Sequence, residues 1–177
     1  MSIVFDPRKV RGRDLYRIAD LAALRAACKR LGLEFLEGHT AYHTWNDRDP
    51  AKPKAEHTIR LSKEQLDRAR KAVKFSGGVP YEIGVIRSDE DNCWYLASDN
   101  DPRMAGSKLL AQICGPVVYS GMDETDRSTG EITEAFGLLM QGYYVEAQKA
   151  EAAAYGYSCY EQVLDDGRIA VYAEIPA

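Results

Sequence analysis

The amino-acid sequence predicts a single α+β domain, built as a two-layer sandwich of an antiparallel sheet with helices packed on one face. Residues 24–37 and 148–161 share the order helix, glycine, strand. Two helix-strand-strand units of this kind could pair their strands in one sheet with both helices on one face, as in a ferredoxin-like fold. With 177 residues, 45% of them hydrophobic, the chain can bury a core without a disulfide or a metal.

The first elements follow from the spacing of apolar residues. Arg13–Ala19 alternates enough for a short strand, and Asp20 is a typical N-cap for a helix that ends at Gly32. The apolar stripe of this helix consists of Leu21, Leu24, Cys28 and Leu31. Leu33–Trp45 is rich in strand-type residues and is broken near Gly38, so it predicts one or two strands.

The middle of the chain predicts a loop, a surface helix and a hairpin. Residues 46–56 hold two prolines and mixed charge. Ser62 then caps a second helix, with Gln65 in the capping-box position. Tyr81–Arg87 and Cys93–Ala97 are two apolar runs separated by an acidic turn, which predicts a β-hairpin.

The last third of the chain predicts two helices and a second hairpin. Leu109–Tyr119 is interrupted by a Gly-Pro pair, so it predicts a short helix followed by an extended piece. Ile132–Tyr155 has the spacing of one long helix. Tyr157–Leu164 and Ile169–Ile175 alternate as strands around Asp165–Arg168, a strong turn signal.

The net charge of -4 conceals an uneven distribution. Residues 1–74 carry 17 Lys and Arg against 10 Asp and Glu, whereas residues 75–177 carry 6 against 17. The most basic stretch, residues 48–74, indicates either contact with nucleic acid or another anionic partner, or a solvated helix that faces an acidic sheet. The candidate residues for binding an anion or nucleic acid are Arg60, Lys63, Arg68, Arg70, Lys71 and Lys74.

Nothing in the sequence predicts secretion or membrane insertion. The N-terminus turns polar and basic after three apolar residues, and no stretch approaches the roughly 20 apolar residues of a membrane span. The four cysteines are scattered without a C-x-x-C pair, so they indicate reduced thiols rather than a zinc site or a disulfide framework. We therefore expect a cytoplasmic protein that does not contact a membrane.

No local motif indicates catalysis, a cofactor or a metal. His39 and His43 would share one face of a strand, but residues four apart in a strand are about 13 Å apart, too far for one metal ion. The chain lacks the G-x-S-x-G elbow, the P-loop pattern and the calcium-loop pattern. We predict a protein that is not an enzyme. The alternative of an active site formed by residues from distant parts of the chain stays open.

Tyrosines and acidic clusters are the main candidates for contact with a partner. The chain has 11 tyrosines, several of them near the last helix and strand. Tyrosine suits an interface because it offers apolar area and a hydroxyl, and it suits an ordinary sheet surface equally well. The candidate partner-binding residues are Tyr143, Tyr144, Tyr157, Tyr160, Asp89, Glu90, Asp91, Asp99 and Asp101.

Several short pieces occur in the order and spacing of a known family. They are Asp20–Leu24 with Leu31-Gly32, Tyr81–Val85, Trp94–Leu96 with Asp99, Leu139–Tyr144, and Gly156-Tyr157 with Asp166–Ile169. In these pieces, about half of the chain resembles the family of unknown function that includes the chloroplast hypothetical reading frame thirty-five and its bacterial and phage relatives. Compared with that family, the chain carries two insertions, at about 46–78 (a basic loop and helix) and about 100–131 (loop-rich).

The resemblance implies an accessory or adaptor role rather than a reaction. The family has no agreed activity, and its genes often lie beside one for an AAA-type ATPase. An ATPase, or a host protein for a phage-type relative, is therefore the implied partner.

Three hypotheses about function follow from the sequence. The first is a non-enzymatic protein-binding or regulatory module, which a protein partner or a stable homo-oligomer would support. The second is nucleic-acid or nucleotide binding through residues 48–74. In a variant of the first hypothesis, the acidic half, residues 75–177, occupies a basic site on a host protein in place of phosphates. The third hypothesis is an enzyme whose residues come from distant parts of the chain.

Overall fold

The computed structural model describes residues 12–44, 47–48, 52–73, 80–99, 104–120 and 131–174. The helices in this part of the chain are α1 (Leu21–Arg30), α2 (Lys63–Val73), α3 (Ala105–Cys114) and α4 (Gly137–Ala154). The strands are β1 (Leu33–Leu36), β2 (His57–Leu61), β3 (Ile83–Arg87), β4 (Trp94–Ala97), β5 (Val117–Ser120), β6 (Glu131–Ala135), β7 (Ser158–Val163) and β8 (Ile169–Glu174). None of the described helices is long and apolar enough to cross a membrane.

The first four strands form an antiparallel sheet in the order β1-β2-β3-β4, and its inner face packs against helices. Asp20 caps α1 by accepting hydrogen bonds from Ala22 N and Ala23 N. α1 packs closely on α4, where Gly142 lies against Ala27. The largest fully buried side chains of this main core include Leu24, Ile59, Ile83, Val85, Leu109, Phe136 and Leu139.

The opposite face of the sheet is covered by extended chain between β1 and β2. Tyr42 lies directly over Gly84, where a Cβ would sit 2.6 Å from the tyrosine ring. Its hydroxyl donates to Pro53 O at 3.1 Å, and Thr58 Oγ1 donates to His39 O at 2.8 Å. These contacts close a second, smaller core of Tyr42, Ala55, Ile86, Cys93, Tyr95 and Ala97.

Two further sheets have two strands each, one of β5 and β6 and one of β7 and β8. β6 leads directly into α4, whereas β7 and β8 follow α4 and contact it. Near the N-terminus, Ile18 forms a single antiparallel bridge with Trp94, with N–H to O distances of 3.0 and 2.8 Å. This bridge holds the segment before α1 against the free edge of β4.

The predicted α+β class is confirmed, and both predicted hairpins are present as β3–β4 and β7–β8. The two helix-strand-strand units, however, do not share one sheet. β1 pairs with β2, while among the described residues β7 and β8 pair only with each other. The hairpin β7–β8 docks on α4 instead, and Glu161 of β7 forms an ion pair with Arg30 at the end of α1.

Two predicted elements differ from the structure, and a third is confirmed in part. Arg13–Ala19 is a 3-10 turn over its first four residues and not a strand, because Leu15 N–H bonds back to Gly12 O. Of the one or two strands predicted over Leu33–Trp45 with a break near Gly38, the first is confirmed as β1, which ends at Leu36 before a turn with Gly38 at φ +69°. Residues 39–44 form no strand, and Trp45 lies outside the described residues. The helix predicted over Ile132–Tyr155 begins only at Gly137, since the preceding residues pair with β5 as β6.

The first predicted insertion, at 46–78, includes a central part of the sheet. It contains β2, which lies between β1 and β3. The helix predicted after Ser62 is α2, and Gln65 N–H donates to Ser62 Oγ at 3.2 Å. Of the second predicted insertion, residues 104–120 and 131 are described, and they hold α3, β5 and the first residue of β6.

Candidate functional site

The β7–β8 hairpin begins at a sharply defined end of α4. Tyr157 N–H donates to Ala152 O and Gly156 N–H donates to Ala153 O, each at 3.0 Å. This pair of bonds is the Schellman motif, and Gly156 takes the left-handed conformation that the motif needs, with φ +79°. The motif turns the chain back so that β7 starts two residues after the glycine.

The turn between β7 and β8 fixes how the two strands pair. Leu164 N–H donates to Arg168 O at 2.8 Å, and Gly167 has φ +81°. Asp166 accepts from the backbone N–H of Arg168 at 3.0 Å and from its Nε at 2.7 Å. With the turn closed in this way, Tyr160 lies directly opposite Tyr172.

Alternation along the two strands gives the hairpin two different faces. The inner face, which includes Glu161 and Val171, lies toward α4 and is partly buried. The outer face, which we call the tyrosine face, consists of Tyr160, Gln162, Ala170 and Tyr172. The rings of Tyr160 and Tyr172 are stacked, with centroids 4.9 Å apart and planes at 14°, and the two residues are 50% and 40% exposed.

An ion network fastens the inner face to the helices. Glu161 accepts hydrogen bonds from Arg30 of α1 and, at 3.0 Å, from Lys149 of α4. Arg30 also donates to Glu146 of α4 at 3.0 Å. Arg30 first, and Lys149 after it, lower the pKa of Glu161 to about 2, although desolvation opposes them. The network therefore holds the hairpin in one orientation with Glu161 ionised.

A second pair of exposed tyrosines lies at the junction between α4 and β7. Tyr155 is 71% and Tyr157 is 38% exposed, and their ring centroids are 6.3 Å apart. Tyr157 is a predicted partner-binding residue, but it lies three positions before Tyr160. Because side chains in a strand alternate between the two faces, Tyr157 does not lie on the tyrosine face. Tyr155, at the end of α4, is likewise an exposed tyrosine that lies outside the tyrosine face.

Two other predicted tyrosines fasten the N-terminal segment to α4. Tyr143 is buried, and its hydroxyl oxygen accepts from Ala19 N–H at 2.9 Å. Tyr144 is partly exposed, and its hydroxyl donates to Leu15 O at 2.6 Å. The prediction of Tyr143 as a partner-binding residue is corrected, because its side chain lies in the core and cannot reach a partner in this structure.

Tyr172 belongs to the tyrosine face, although it is not among the residues predicted from the sequence to bind a partner. The turn at Asp165–Arg168 predicts this residue, because the turn fixes the register of the two strands. Val163 and Ile169 lie opposite each other beside the turn, and three residues further along each strand Tyr160 lies opposite Tyr172. The position of a tyrosine close to the last helix does not by itself reveal this pairing.

The predicted acidic residues do not form one open surface. Glu90 binds Arg13 at 2.7 Å, and Asp91 accepts from the Tyr95 hydroxyl at 2.5 Å, while Asp89 is exposed. Asp99 is fully buried and its backbone oxygen accepts from Ser107 Oγ at 2.8 Å, which corrects its prediction as a partner-binding residue. Asp101 lies outside the described residues.

The predicted basic residues divide into paired and unpaired groups. Arg60 binds Glu34 at 2.7 Å, and Arg68 binds Glu64 of the same helix at 2.5 Å. Among the described residues no acidic group pairs with the exposed side chains of Lys63, Arg70 and Lys71. Lys74 lies outside the described residues.

Two other places bring reactive side chains together. A cavity of about 90 Å³ is lined by Asp99, Ser107 and Lys108 and by apolar residues, but the Ser107 hydroxyl already donates to a backbone oxygen. His43 Nδ1 lies 2.6 Å from Asp47 Oδ2, and Lys52 Nζ lies 2.9 Å from the other oxygen. In the part of the chain that the structure describes, no three His, Cys, Asp or Glu side chains form a group that could hold a metal ion.

Asp47 is the residue that holds this small cluster together. Desolvation raises the pKa of Asp47, but hydrogen bonds from the Thr44 backbone, Lys52 and His43 outweigh it and lower this pKa to about 2. Lys52 also lies over the Tyr42 ring, 4.3 Å from its centroid. These contacts tie the extended segment to itself over the sheet, which accounts for the cluster structurally.

Comparison with known proteins adds nothing to this geometry. Neither a protein-family model, nor a curated protein, nor a solved structure matches the chain.

Proposed function

We propose that this protein is a non-enzymatic protein-binding module of the adaptor type, and that the tyrosine face of β7–β8 contacts the partner. The observation that carries the proposal is the stacked, half-exposed pair Tyr160 and Tyr172 on a hairpin fastened to two helices. Tyrosine is enriched at the centres of protein interfaces because it combines a large apolar ring with a hydroxyl.

The fixed position of the hairpin favours binding. Glu161, Arg30 and Lys149 hold the strand that carries Tyr160, and Tyr172 stacks on it. A surface that is already ordered loses less conformational entropy when a partner binds. The same surface would be a poor binding site if the hairpin moved independently of α4.

The charges around the hairpin indicate the chemistry of the partner. Asp165 and Glu174 are exposed, while Asp166 is paired with Arg168. A complementary partner would offer an apolar platform for the two rings, with lysine or arginine at its rim. The resemblance to a family whose genes lie beside an AAA-type ATPase makes such an ATPase subunit the first partner to test.

The double variant Y160S/Y172S is expected to weaken partner binding by about 30-fold or more, because it removes both rings from the centre of the interface. The matched control is Y155S, which removes an exposed tyrosine outside the tyrosine face and should change the dissociation constant by less than about twofold. The measurement is titration calorimetry with the ATPase subunit, after far-ultraviolet circular dichroism has shown both variants to be folded.

If this ATPase does not bind, a photo-crosslinking amino acid at position 160, with position 89 as control, identifies the partner in cells. Equal losses of binding for Y160S/Y172S and Y155S, or the same adducts from positions 160 and 89, would contradict the proposal. An adduct specific to position 160 that disappears on Tyr172→Ser supports it.

Nucleic-acid binding through α2 is a second candidate function, because Lys63, Arg70 and Lys71 are exposed without acidic partners among the described residues. If three cations contact phosphates, the logarithm of the affinity for duplex DNA should fall with the logarithm of salt concentration with a slope of about -3. The triple variant K63E/R70E/K71E should abolish binding. The control is Arg68→Glu, which changes a cation that Glu64 already neutralises. Binding that ignores salt would exclude this function.

The acidic half of the chain receives less support as a substitute for phosphates. Glu90 and Asp91 are engaged within the chain, and Asp99 is buried. These three residues therefore do not form one acidic surface that could fill a basic site on a partner.

A further inference from the structure

The outer edge of β8 carries backbone groups with no strand beside them among the described residues. The bond from Leu164 N–H to Arg168 O sets the hydrogen-bonding phase of the hairpin. Along an antiparallel pair of strands, hydrogen-bonded and non-hydrogen-bonded residue pairs alternate, so the backbone groups of the even-numbered residues of β8 bond to β7. The N–H and C=O groups of Ile169, Val171 and Ala173 consequently point toward the open edge.

We infer that this edge pairs with the same edge of a second copy of the chain, antiparallel, with Val171 on the two-fold axis. In this register Val171 faces its own counterpart, and Ile169 faces Ala173 of the second copy. These are the residues whose backbone groups are open, so each copy satisfies the other. The inference concerns the edge of the hairpin and goes beyond the binding function proposed for its face.

Charge complementarity selects this register. Antiparallel pairing about Val171 places Arg168 opposite Glu174 of the second copy, and symmetry repeats the pair. Arg168 pairs with Asp166 of its own turn and keeps a 76% exposed side chain, which can also contact a second carboxylate, and Glu174 is exposed without an ion-pair partner among the described residues. A shift of two residues would place Glu174 opposite either Asp166 or Ala170, so both ion pairs would be lost.

The rest of the chain near the hairpin is compatible with this pairing. α4 contacts both strands on their inner face. Pairing at the β8 edges would set the two α4 helices about two strand spacings apart, or about 10 Å, which is an ordinary helix-packing distance. The last turns of α4 expose the small side chains of Ala150, Ala153 and Ala154, which permit such an approach.

The pairing would also change the binding surface. The outer faces of the two hairpins would form one four-stranded sheet, in the order β7-β8-β8-β7, with Tyr160 and Tyr172 of both copies on the same side. A two-stranded hairpin is marginally stable alone, so widening it to four strands stabilises the surface that carries the tyrosines. The dimer would then present two copies of the tyrosine face to a partner.

A charge-exchange experiment tests the register directly. R168E alone and E174R alone each place two like-charge pairs across the axis, and each should raise the dissociation constant of self-association about 30-fold. Mixing the two variants pairs every acid with a base, as does the double variant R168E/E174R. We expect light scattering to give the mass of one 19.8 kDa chain for each single variant and twice that mass for the mixture and the double variant.

A backbone variant gives an independent test. Ala173→Pro removes an N–H that faces the open edge and no bond to β7, so the hairpin should fold while the dimer is lost. A wild-type protein that is monomeric at every concentration, or a dimer that none of these variants weakens, would overturn the inference. The variant Tyr160→Ser changes β7, away from the paired edges, so it should remain dimeric while partner binding weakens, which separates a failure of this inference from a failure of the proposed function.

Discussion

Replacing Gly115 by alanine is expected to lower the Tm by about 10 °C, through a loss of about 3 kcal/mol in the free energy of unfolding. Gly115 ends α3 with φ 90° and ψ 156°, a region of backbone space that is essentially restricted to glycine. A Cβ on this residue would also sit 2.6 Å from Gly137 N and 3.0 Å from Leu138 N. Both atoms belong to the backbone, so neither can rotate away.

The matched control for this variant is Gly156→Ala. Gly156 has φ +79°, but nothing lies within 4 Å of the position that a Cβ would take. This control isolates the cost of the left-handed conformation, about 1 kcal/mol. Thermal unfolding followed by circular dichroism should therefore show a clearly larger loss for Gly115→Ala. Equal losses would mean that the close approach of α3 to α4 at Gly115 does not contribute to stability.

Short-range sequence patterns were sufficient for the elements whose ends are marked by local chemistry. Asp20 and Ser62 cap the helices that they were predicted to cap, and Gly156 ends α4. The turn Asp165–Arg168 predicted the β7–β8 hairpin with its ends within about one residue. In each case the stabilising hydrogen bonds join residues that are only a few positions apart, so the sequence contains the information locally.

Elements that depend on distant contacts were not predictable in this way. β2 is a central strand because it pairs with β1 and β3 across long separations in the chain, yet its sequence follows a loop and predicts part of an insertion. β6 has the apolar spacing of a helix start, and its pairing with β5 decides its conformation. Tertiary pairing overrides local preference at such places.

The same distinction applies to the candidate site. Tyrosine abundance indicated the C-terminal part of the chain, but the buried position of Tyr143 and the stacking of Tyr160 on Tyr172 depend on how strands and helices dock. The sequence places Asp99 in an acidic cluster that predicts exposure, whereas the structure buries it beside α3. Which side chain faces solvent is a property of the packed fold, and the sequence spacing constrains it only within one element.

The variant Glu161→Gln is expected to loosen the β7–β8 hairpin while leaving the main sheet intact. Glutamine keeps the shape of the side chain but removes the charge that Arg30 and Lys149 contact. We expect faster hydrogen exchange for the amides that join β7 to β8, by about tenfold, and little change in β3. The control is Glu151→Gln on α4, which removes an exposed carboxylate that has no ion-pair partner among the described residues.

The pKa of Glu161 determines whether its contribution to stability rises or falls with pH. The pKa of Glu161 in the folded protein, about 2, lies below its usual value of 4.5. Its contribution to stability is therefore complete above pH 4.5 and is lost as the pH falls from 4.5 toward 2. Because the network is partly exposed to solvent, we expect this contribution to be about 1 kcal/mol, or about 3 °C in Tm.

The decisive measurement compares the Tm of wild-type protein and Glu161→Gln from neutral pH to about pH 3. The wild-type protein should be the more stable of the two above pH 4.5, and the difference should shrink below it, because the unfolded state then binds a proton at Glu161 that the folded state does not. A difference that stays constant with pH would show that the side chain acts by shape alone. In the folded protein Glu161 stays ionised until the pH approaches 2, so partner binding should change little between pH 4.5 and pH 3 while stability falls.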